Sequence, residues 1–256
     1  MNKTILLSAY ACEPNRGSES EIAWSWIKLF SKTKNNVYVI TRKKNSKKIQ
    51  QFKFTNIFFL YYDLPNFLIF LTKGKRNKGY SYLYFLLWQL GIFFNYNKFI
   101  SKKKFDVIHH ITFGSFRFPS FLCLFKSKFI FGPLAGGETV PFRLLENFTL
   151  KSKLTEFIRN LSNNLIKYSF LINLTFFKSF KIILTSRESL KFLPKRFILK
   201  SLIIPAVSNK KVKFKIVNSL KFKSIYFAGR LVEFKGIYIL LEVFKKIILL
   251  NKNLKL

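Results

Sequence analysis

The stretch that decides the fold is T-I-L-L-S (Thr4–Ser8), followed by the loop S-A-Y-A-C-E-P-N-R-G-S-E-S-E (Ser8–Glu21). The first segment is a short apolar run typical of a buried strand. The loop contains Gly17 near its end, and Ser18 with Glu21 has the spacing of a capping box that opens a helix. A strand, a loop and a helix in this order predict the first unit of a parallel α/β sheet.

Similar β-type runs recur along the chain with helical stretches between them. Most of these runs are apolar throughout rather than alternating, which is typical of parallel strands covered on both faces. The sequence therefore predicts a Rossmann-like α/β fold with helices on both faces of the sheet. The predicted strands are Thr4–Ser8, Val37–Thr41, Asn56–Tyr61, Asp106–His110, Phe129–Gly132, Lys181–Thr185, Leu202–Ile204 and Ser224–Ala228.

The chain is predicted to divide near its carboxyl end. Residues 1–207 form the first domain, and the charged, uneven stretch 208–223 is a candidate linker. Residues 224–256 read as one strand and one helix of a second Rossmann-like domain, since apolar residues from Ile237 to Ile248 recur at helical spacing.

The charge is strongly basic, with 46 Lys and Arg against 11 Asp and Glu and a formal net charge of +35. Such a field attracts anionic lipid, a nucleotide diphosphate or nucleic acid. The compositional drift of an A+T-rich genome explains the lysines equally well. No nucleic-acid-binding motif accompanies the charge, so nucleic acid is not expected as a partner. Cys12 and Cys123 have no metal or redox spacing, which fits a reducing, cytoplasmic compartment.

An aromatic stretch, Tyr80–Tyr96, comes closest to a membrane span. At about 17 residues it lies at the lower limit for a spanning helix, and it contains Gln89 and Asn95, so a buried or interfacial helix is expected. Together with the basic charge, residues 80–94 suit peripheral docking to the anionic inner face of the plasma membrane. Core packing explains the same aromatics equally well.

The segment D-V-I-H-H-I-T-F-G-S-F-R (Asp106–Arg117) places both histidines of the chain at the carboxyl end of a strand. Open α/β sheets bind ligands at this edge, and imidazole can act as a general acid or base near neutral pH. Adjacent side chains on a strand face opposite ways, so at most one of His109 and His110 is expected to face a ligand. A structural role is the alternative for either.

Two further loops are candidates for chemistry. In F-G-P-L-A-G-G-E-T (Phe131–Thr139), Gly136 and Gly137 allow close backbone approach and Glu138 offers a carboxylate. The alternative is a plain glycine turn. The loop containing Gly17 leads into a helix N-terminus, where a phosphate is stabilised. The alternative is a capped turn that binds no ligand.

The segment Y-F-A-G-R-L-V-E-F-K-G (Tyr226–Gly236) places Arg230 and Lys235 on either side of a helix start. A guanidinium and an ammonium there suit a diphosphate, the first as a planar fork and the second as a point charge. Ordinary surface charge in a lysine-rich chain is the alternative.

Taken in this order, four motifs resemble the retaining glycosyltransferase family 4, also called group 1. The middle two are similar to a subgroup that builds bacterial surface polysaccharides such as capsule and lipopolysaccharide. The motifs are A-C-E-P-x-x-G-S-E (Ala11–Glu19), D-V-I-H-H-I-T-F-G-S-F-R-F-P (Asp106–Pro119), G-P-L-A-G-G-E (Gly132–Glu138) and G-R-L-x-x-x-K-G (Gly229–Gly236).

The resemblance implies a GT-B architecture, in which an N-terminal domain holds the acceptor and a C-terminal domain holds a nucleotide-sugar donor in the cleft between. The implied reaction transfers a hexose from a nucleotide-diphosphate sugar to a glycan or lipid-linked acceptor with retention. Arg230 and Lys235 would stabilise the leaving diphosphate, with Gly17 near the donor phosphates. Neither a metal nor a cofactor is then required.

On the acceptor side the resemblance implies catalytic roles for His110 and Glu138. His109, Gly136, Gly137 and Arg117 would line the acceptor. Many members of the family place a histidine after the fifth strand, where this chain has Gly132 and Pro133. The family's donor domain also continues through an E-x7-E segment, which is not found before Leu256, so the chain is expected to be truncated within that domain.

Two alternatives remain open at this point. In the first, the chain is a non-catalytic remnant. In the second, it is one subunit of a split enzyme and binds a complementary donor-domain subunit. A basic nucleic-acid-binding protein is less favoured, because the aromatic residues fall within apolar strand and helix runs rather than on a basic face.

Overall fold

The computed structural model describes residues 2–68, 78–206, 223–251 and 254–255. It divides into two compact units. Unit 1 comprises Met1–Glu138 and Leu161–Ser208, and unit 2 comprises Thr139–Asn160 and Asn209–Leu256. Nearly all of the predicted linker, 208–223, lies outside the described residues. The two units are described separately below.

A parallel sheet of seven strands forms the centre of unit 1, and the described strands follow the order β3-β2-β1-β4-β5-β6-β7. This confirms the predicted open, parallel, Rossmann-like α/β class. The order runs one way from β1 to β3 and the other way from β4 to β7. The strands are β1 (Thr4–Ala9), β2 (Asn36–Thr41), β3 (Ile57–Tyr61), β4 (Val107–Thr112), β5 (Lys128–Leu134), β6 (Ser179–Leu184) and β7 (Ser201–Ile203).

Crossover connections join these parallel strands, and all but two of them contain an α-helix. The connections from β4 to β5 and from β6 to β7 contain only 3-10 turns. Short 3-10 turns complete several of the connections. The α-helices among the described residues are α1 (Ser18–Phe30), α2 (Ser46–Ile49), α3 (Lys78–Lys103), α4 (Phe142–Leu145), α5 (Leu150–Leu165), α6 (Phe170–Lys178) and α7 (Ile237–Leu250).

The sheet of unit 1 is covered on both faces, which is why its strands are apolar throughout. On one face, Trp24 and Ile27 of α1 pack with Leu7 of β1. On the other face, Phe85 and Trp88 of α3 belong to a second cluster of buried side chains. Leu6 and Leu7 of the central strand are both 0% exposed, one in each cluster. Unit 1 therefore has a two-sided core.

The aromatic stretch 80–96 lies within α3 and supplies one side of this core. The indole Nε1 of Trp88 donates to the carbonyl of Tyr62 at 2.9 Å, and Gln89 Nε2 donates to the carbonyl of Pro119 at 2.7 Å. One side of this helix is therefore buried, whereas Leu83 and Phe94 remain exposed, so a buried and an interfacial helix both fit the structure. Within the part of the chain that the structure describes, no helix is long and apolar enough to cross a membrane.

The start of α1 differs from the expected capping box. The N-cap is Gly17, at φ 67°, and no side chain caps the helix. Glu21 instead lies near Lys28, with 3.5 Å between carboxylate and ammonium. Glycine accepts a positive φ that strains other residues, so the chain turns into the helix one residue earlier than the Ser18–Glu21 spacing suggested.

Unit 2 contains α7, as predicted, but a shorter strand than expected. The predicted strand 224–228 is reduced to β8 (Lys223–Ser224), which pairs in parallel with β9 (Leu254–Lys255). Because β9 contains only two residues, it can pair with only two residues of the predicted strand. The remaining residues, up to Ala228, therefore do not continue the ladder.

The packing of α3 generates a test with a matched control on the same helix. Trp88→Ala should lower the free energy of unfolding by about 3–5 kcal/mol, because a fully buried indole is lost and a cavity remains. Phe94→Ala removes a ring that is 72% exposed and should cost far less. Urea denaturation measures both. Equal losses would contradict the assignment of Trp88 to the core.

Candidate functional site

The reversal of strand order between β1 and β4 marks the candidate site of unit 1. Connections from these neighbouring strands run away from each other, which opens a crevice at their carboxyl ends where open α/β sheets bind ligands. Three of the four motifs lie at this edge, in the loops that follow β1, β4 and β5. We refer to the loop residues at this edge, 10–19, 113–119 and 135–138, as the carboxyl-edge crevice.

Glu19 ties the loop after β4 to the start of α1. Its Oε1 accepts a hydrogen bond from the N–H of Gly114 at 2.9 Å, across the crevice. Burial raises the pKa of Glu19, while the N–H groups of Gly114 and Phe113 oppose that shift. On the other side, the carbonyl of Gly114 accepts from the N–H of Ala135 at 2.7 Å. The three motif loops of unit 1 are thus joined through one glycine.

Arg117 holds the glycine-rich loop in place. Its guanidinium donates to the carbonyl of Gly136 at 2.7 Å and to Oδ1 of Asn163 at 2.6 Å. Asn163 is fully buried and also donates to the carbonyl of Gly136, at 3.2 Å. Gly137 packs so closely that a Cβ there would lie 2.5 Å from the Cα of Ser189. Close backbone approach therefore requires glycine at position 137, and a φ of 104° favours glycine at position 136.

Glu138 lies exposed at the tip of this loop with its carboxylate well supplied with donors. It accepts from Ser186 Oγ at 2.9 Å, from Gly136 N–H at 3.0 Å and from Thr185 Oγ1 at 3.4 Å. Burial alone would raise the pKa of Glu138, but hydrogen bonds from its own N–H, Ser186 and Gly136 outweigh it and lower the pKa. The group is an oriented anion at neutral pH.

The two histidines lie on opposite faces of β4, as the alternation of strand side chains predicts. The ring of His109 packs edge-on against Trp26, and its Nε2 lies 2.7 Å from the carbonyl of Gly132. The ring of His110 packs against Phe131 on the other face, and its Nδ1 lies 3.1 Å from Ser120 Oγ. Both rings are hydrogen-bonded within the core.

Neither histidine reaches the surface of unit 1. His109 is 3% exposed and His110 is 1% exposed. Burial lowers the pKa of each ring to about 4, so both are neutral at pH 7. Neither ring therefore titrates near neutral pH in this structure. The catalytic role assigned to His110 stays a prediction.

The loop around Gly17 contains a small network of charges. Gly17 is exposed, and no heavy atom lies within 4 Å of where its Cβ would be. The nearly buried carboxylate of Glu13 pairs with Arg16 and, at 2.7 Å, with Lys48. One acid thus pairs with two cations beside the N-terminus of α1, and the first turn of that helix adds the acidic Glu19 and Glu21.

A buried ion pair next to this loop was not predicted from the sequence. Nε of Arg42 donates to Oδ1 of Asp63 at 2.6 Å, and the Arg42 guanidinium also bonds the hydroxyls of Tyr10 and Tyr84 at 3.3 and 3.2 Å. Tyr10 begins the loop after β1. This cluster therefore fixes one wall of the crevice by joining the ends of β1, β2 and β3. The sequence signal that could have indicated this ion pair is Arg42 itself, a basic residue directly after the predicted strand Val37–Thr41.

In unit 2, Arg230 and Lys235 are both exposed and lie before α7, in the turn that starts that helix. Gly236 is the N-cap of α7, at φ 72°. The carboxylate of Glu233 accepts hydrogen bonds from the N–H and the hydroxyl of Thr149, both at 2.9 Å. Glu233 is thus engaged elsewhere, and the two cations lie near the open N-terminus of a 14-residue helix.

No group of three or more His, Cys, Asp or Glu side chains comes together as metal ligands among the described residues. No protein-family model and no curated protein matches the chain. The resemblance to the glycosyltransferases therefore rests on the four motifs and on where the fold places them.

The environment of the histidines makes a direct prediction, because the chain contains only two of them. Both imidazoles should keep constant chemical shifts from pH 8 to about pH 5, since their folded pKa lies below this range. The unfolded chain binds protons at about pH 6.5. The free energy of unfolding should therefore fall between about pH 6.5 and pH 4. NMR of the ring C–H signals measures the pKa of each imidazole, and urea denaturation at each pH measures the free energy of unfolding. A midpoint near pH 6.5 for either ring would contradict the buried placement.

Proposed function

We propose that the chain is a retaining glycosyltransferase component that binds a nucleotide-diphosphate sugar and a glycan or lipid-linked acceptor for bacterial surface polysaccharide synthesis. The observation that carries the proposal is the convergence of three of the four motifs at the carboxyl-edge crevice of unit 1. The fourth motif begins α7 of unit 2. Loops that follow the strands of a parallel sheet meet at the edge where such sheets bind ligands, and three of the motifs supply the loops around the reversal of strand order.

In this proposal, Arg230 and Lys235 bind the donor diphosphate. Transfer breaks the bond between the anomeric carbon and the diphosphate oxygen, so negative charge develops on the leaving group. Cations at that position stabilise the transition state more than the ground state. The N-terminus of α7, which no side chain caps, adds a favourable helix dipole.

Unit 1 supplies the acceptor side in the same proposal. Glu138 is an oriented anion whose carboxylate can accept a hydrogen bond from an acceptor hydroxyl. Arg117 and Asn163 fix the backbone of the Gly136–Glu138 loop and so fix the direction of that carboxylate. His109 and His110 support the same edge from within the core as neutral rings. Catalysis then depends on positioning and electrostatics.

Donor binding is testable with the chain as it is. UDP-, GDP- and ADP-sugars are screened for thermal stabilisation, and one of them should raise the melting temperature by several degrees. A ligand at about 100 times its Kd adds about 2.7 kcal/mol to the free energy of unfolding. The double variant Arg230→Ala and Lys235→Ala should lose most of this rise, because the diphosphate loses both of its cations.

The matched control is Lys245→Ala with Lys246→Ala, which removes two exposed cations from α7 of the same unit. This variant should keep the rise. If none of the donors stabilises the chain, or if the Arg230 and Lys235 variant responds like the wild type, the diphosphate assignment is wrong.

A further inference from the structure

The opposite edge of the unit 1 sheet carries a basic surface that the proposed transferase site does not use. A shallow basin of about 530 Å³ lies where β4, β5 and β6 begin. Three exposed lysines line it, namely Lys126, Lys128 and Lys178. We refer to this basin together with the adjoining Phe177 and Phe180 as the amino-edge surface.

The charge of the basin is almost uncompensated. Among the described residues, Asp106 is the only acid that lines it, and its Oδ2 already accepts a hydrogen bond from the N–H of Thr4 at 2.8 Å. Serine side chains and phenylalanine rings make up the rest of the lining. Three lysines around one carboxylate give a net positive charge that attracts a polyanion.

Large aromatic rings project beside these lysines. Phe177 is 66% exposed and Phe180 is 53% exposed. The ammonium of Lys128 lies 5.3 Å from the centre of the Phe180 ring, in cation–π contact. Exposed aromatics next to lysines are typical of surfaces that enter the headgroup region of a membrane.

The corner that carries these groups is held in one shape. The ammonium of Lys200 donates to the carbonyls of Phe177 at 2.7 Å, Ser179 at 3.1 Å and Phe176 at 3.3 Å. Ser179 Oγ donates to the carbonyl of Thr175 at 2.7 Å. These hydrogen bonds hold the end of α6 and the start of β6 together. Phe177, Lys178 and Phe180 project from this hydrogen-bonded corner.

We propose that the amino-edge surface docks unit 1 on an anionic lipid bilayer, with the three lysines against lipid phosphates and Phe177 and Phe180 among the headgroups. Charge complementarity and exposed phenylalanines favour a bilayer. Single-stranded nucleic acid is less suited, because base stacking needs free ring faces and Lys128 already covers one face of Phe180. The proposal does not depend on transferase activity.

The structure also separates this surface from the aromatic stretch 80–94 considered at first for the same role. Phe85 and Trp88 of that stretch are fully buried, so they cannot enter a membrane without unfolding α3. Among the described side chains of the stretch, Phe94 is the most exposed large ring, at 72%. It therefore serves as a comparison site on the same unit.

The first experiment measures sedimentation of the full chain with vesicles. The chain should bind vesicles of phosphatidylcholine mixed with phosphatidylglycerol and should bind phosphatidylcholine alone far less. Alanine at Lys126, Lys128 and Lys178 should weaken binding by between about 10-fold and 100-fold. The control replaces Lys43, Lys47 and Lys191, which lie elsewhere on unit 1, and removes the same charge.

Equal weakening by the two triple variants would overturn the proposal, because binding would then reflect overall charge and not this surface. A triple variant that binds vesicles normally but loses binding to single-stranded DNA would also overturn it. In that case the partner would be a nucleic acid.

The second experiment does not depend on the triple variant folding. Phe180→Trp places an indole on the amino-edge surface, and Phe94→Trp places one on α3. Brominated lipid in the anionic vesicles should quench the added fluorescence of the Phe180→Trp chain and should leave that of Phe94→Trp nearly unchanged. Quenching at position 94 without quenching at position 180 would assign the docking role to α3 and refute the proposal.

Discussion

The pairing of β1 with β4 at the centre of the sheet is the constraint on which the rest of unit 1 depends. These strands are buried on both faces, so α1 must cover one side and α3 the other. Because the connections leave β1 and β4 in opposite directions, a crevice opens at their carboxyl ends. The same pairing fixes the separation of the loops that carry the motifs. The candidate site is thus a consequence of strand order before any individual side chain is considered.

Hydrogen bonds from buried or half-buried polar groups hold the loops of this crevice in fixed positions relative to one another. Glu19 and Arg117 each bond the backbone of a neighbouring loop, and Arg42 closes the wall formed by the ends of β2 and β3. Polar groups removed from water must find partners, which explains why these loops are ordered. His109 and His110 follow the same rule, because each bonds an oxygen within the core. Glu138 is the charged group left exposed at the edge of this network.

The fold was largely predictable from the sequence, and the site was predictable only in part. Apolar runs such as Thr4–Ser8 mark buried strands locally, and each of the first seven predicted strands overlaps an observed strand. The partner of Glu19 was not predictable, because Gly114 lies 95 residues away and the two meet only through strand order. The ion pair of Arg42 with Asp63 depends on the same long-range register. The strand predicted up to Ala228 failed because strand length depends on a partner that local pattern does not show.

Unit 1 carries two surfaces, a crevice of oriented polar groups and a basic edge with exposed rings. Unit 2 carries a cationic helix start, and the central proposal is that this helix start binds a nucleoside diphosphate. Hydrogen exchange followed by mass spectrometry, with UDP, GDP or ADP against the parent nucleosides, tests this most directly. The account predicts that one diphosphate slows exchange at amides 229–240, while its nucleoside does not. Slowed exchange confined to residues 126–128, or none with any diphosphate, would contradict it.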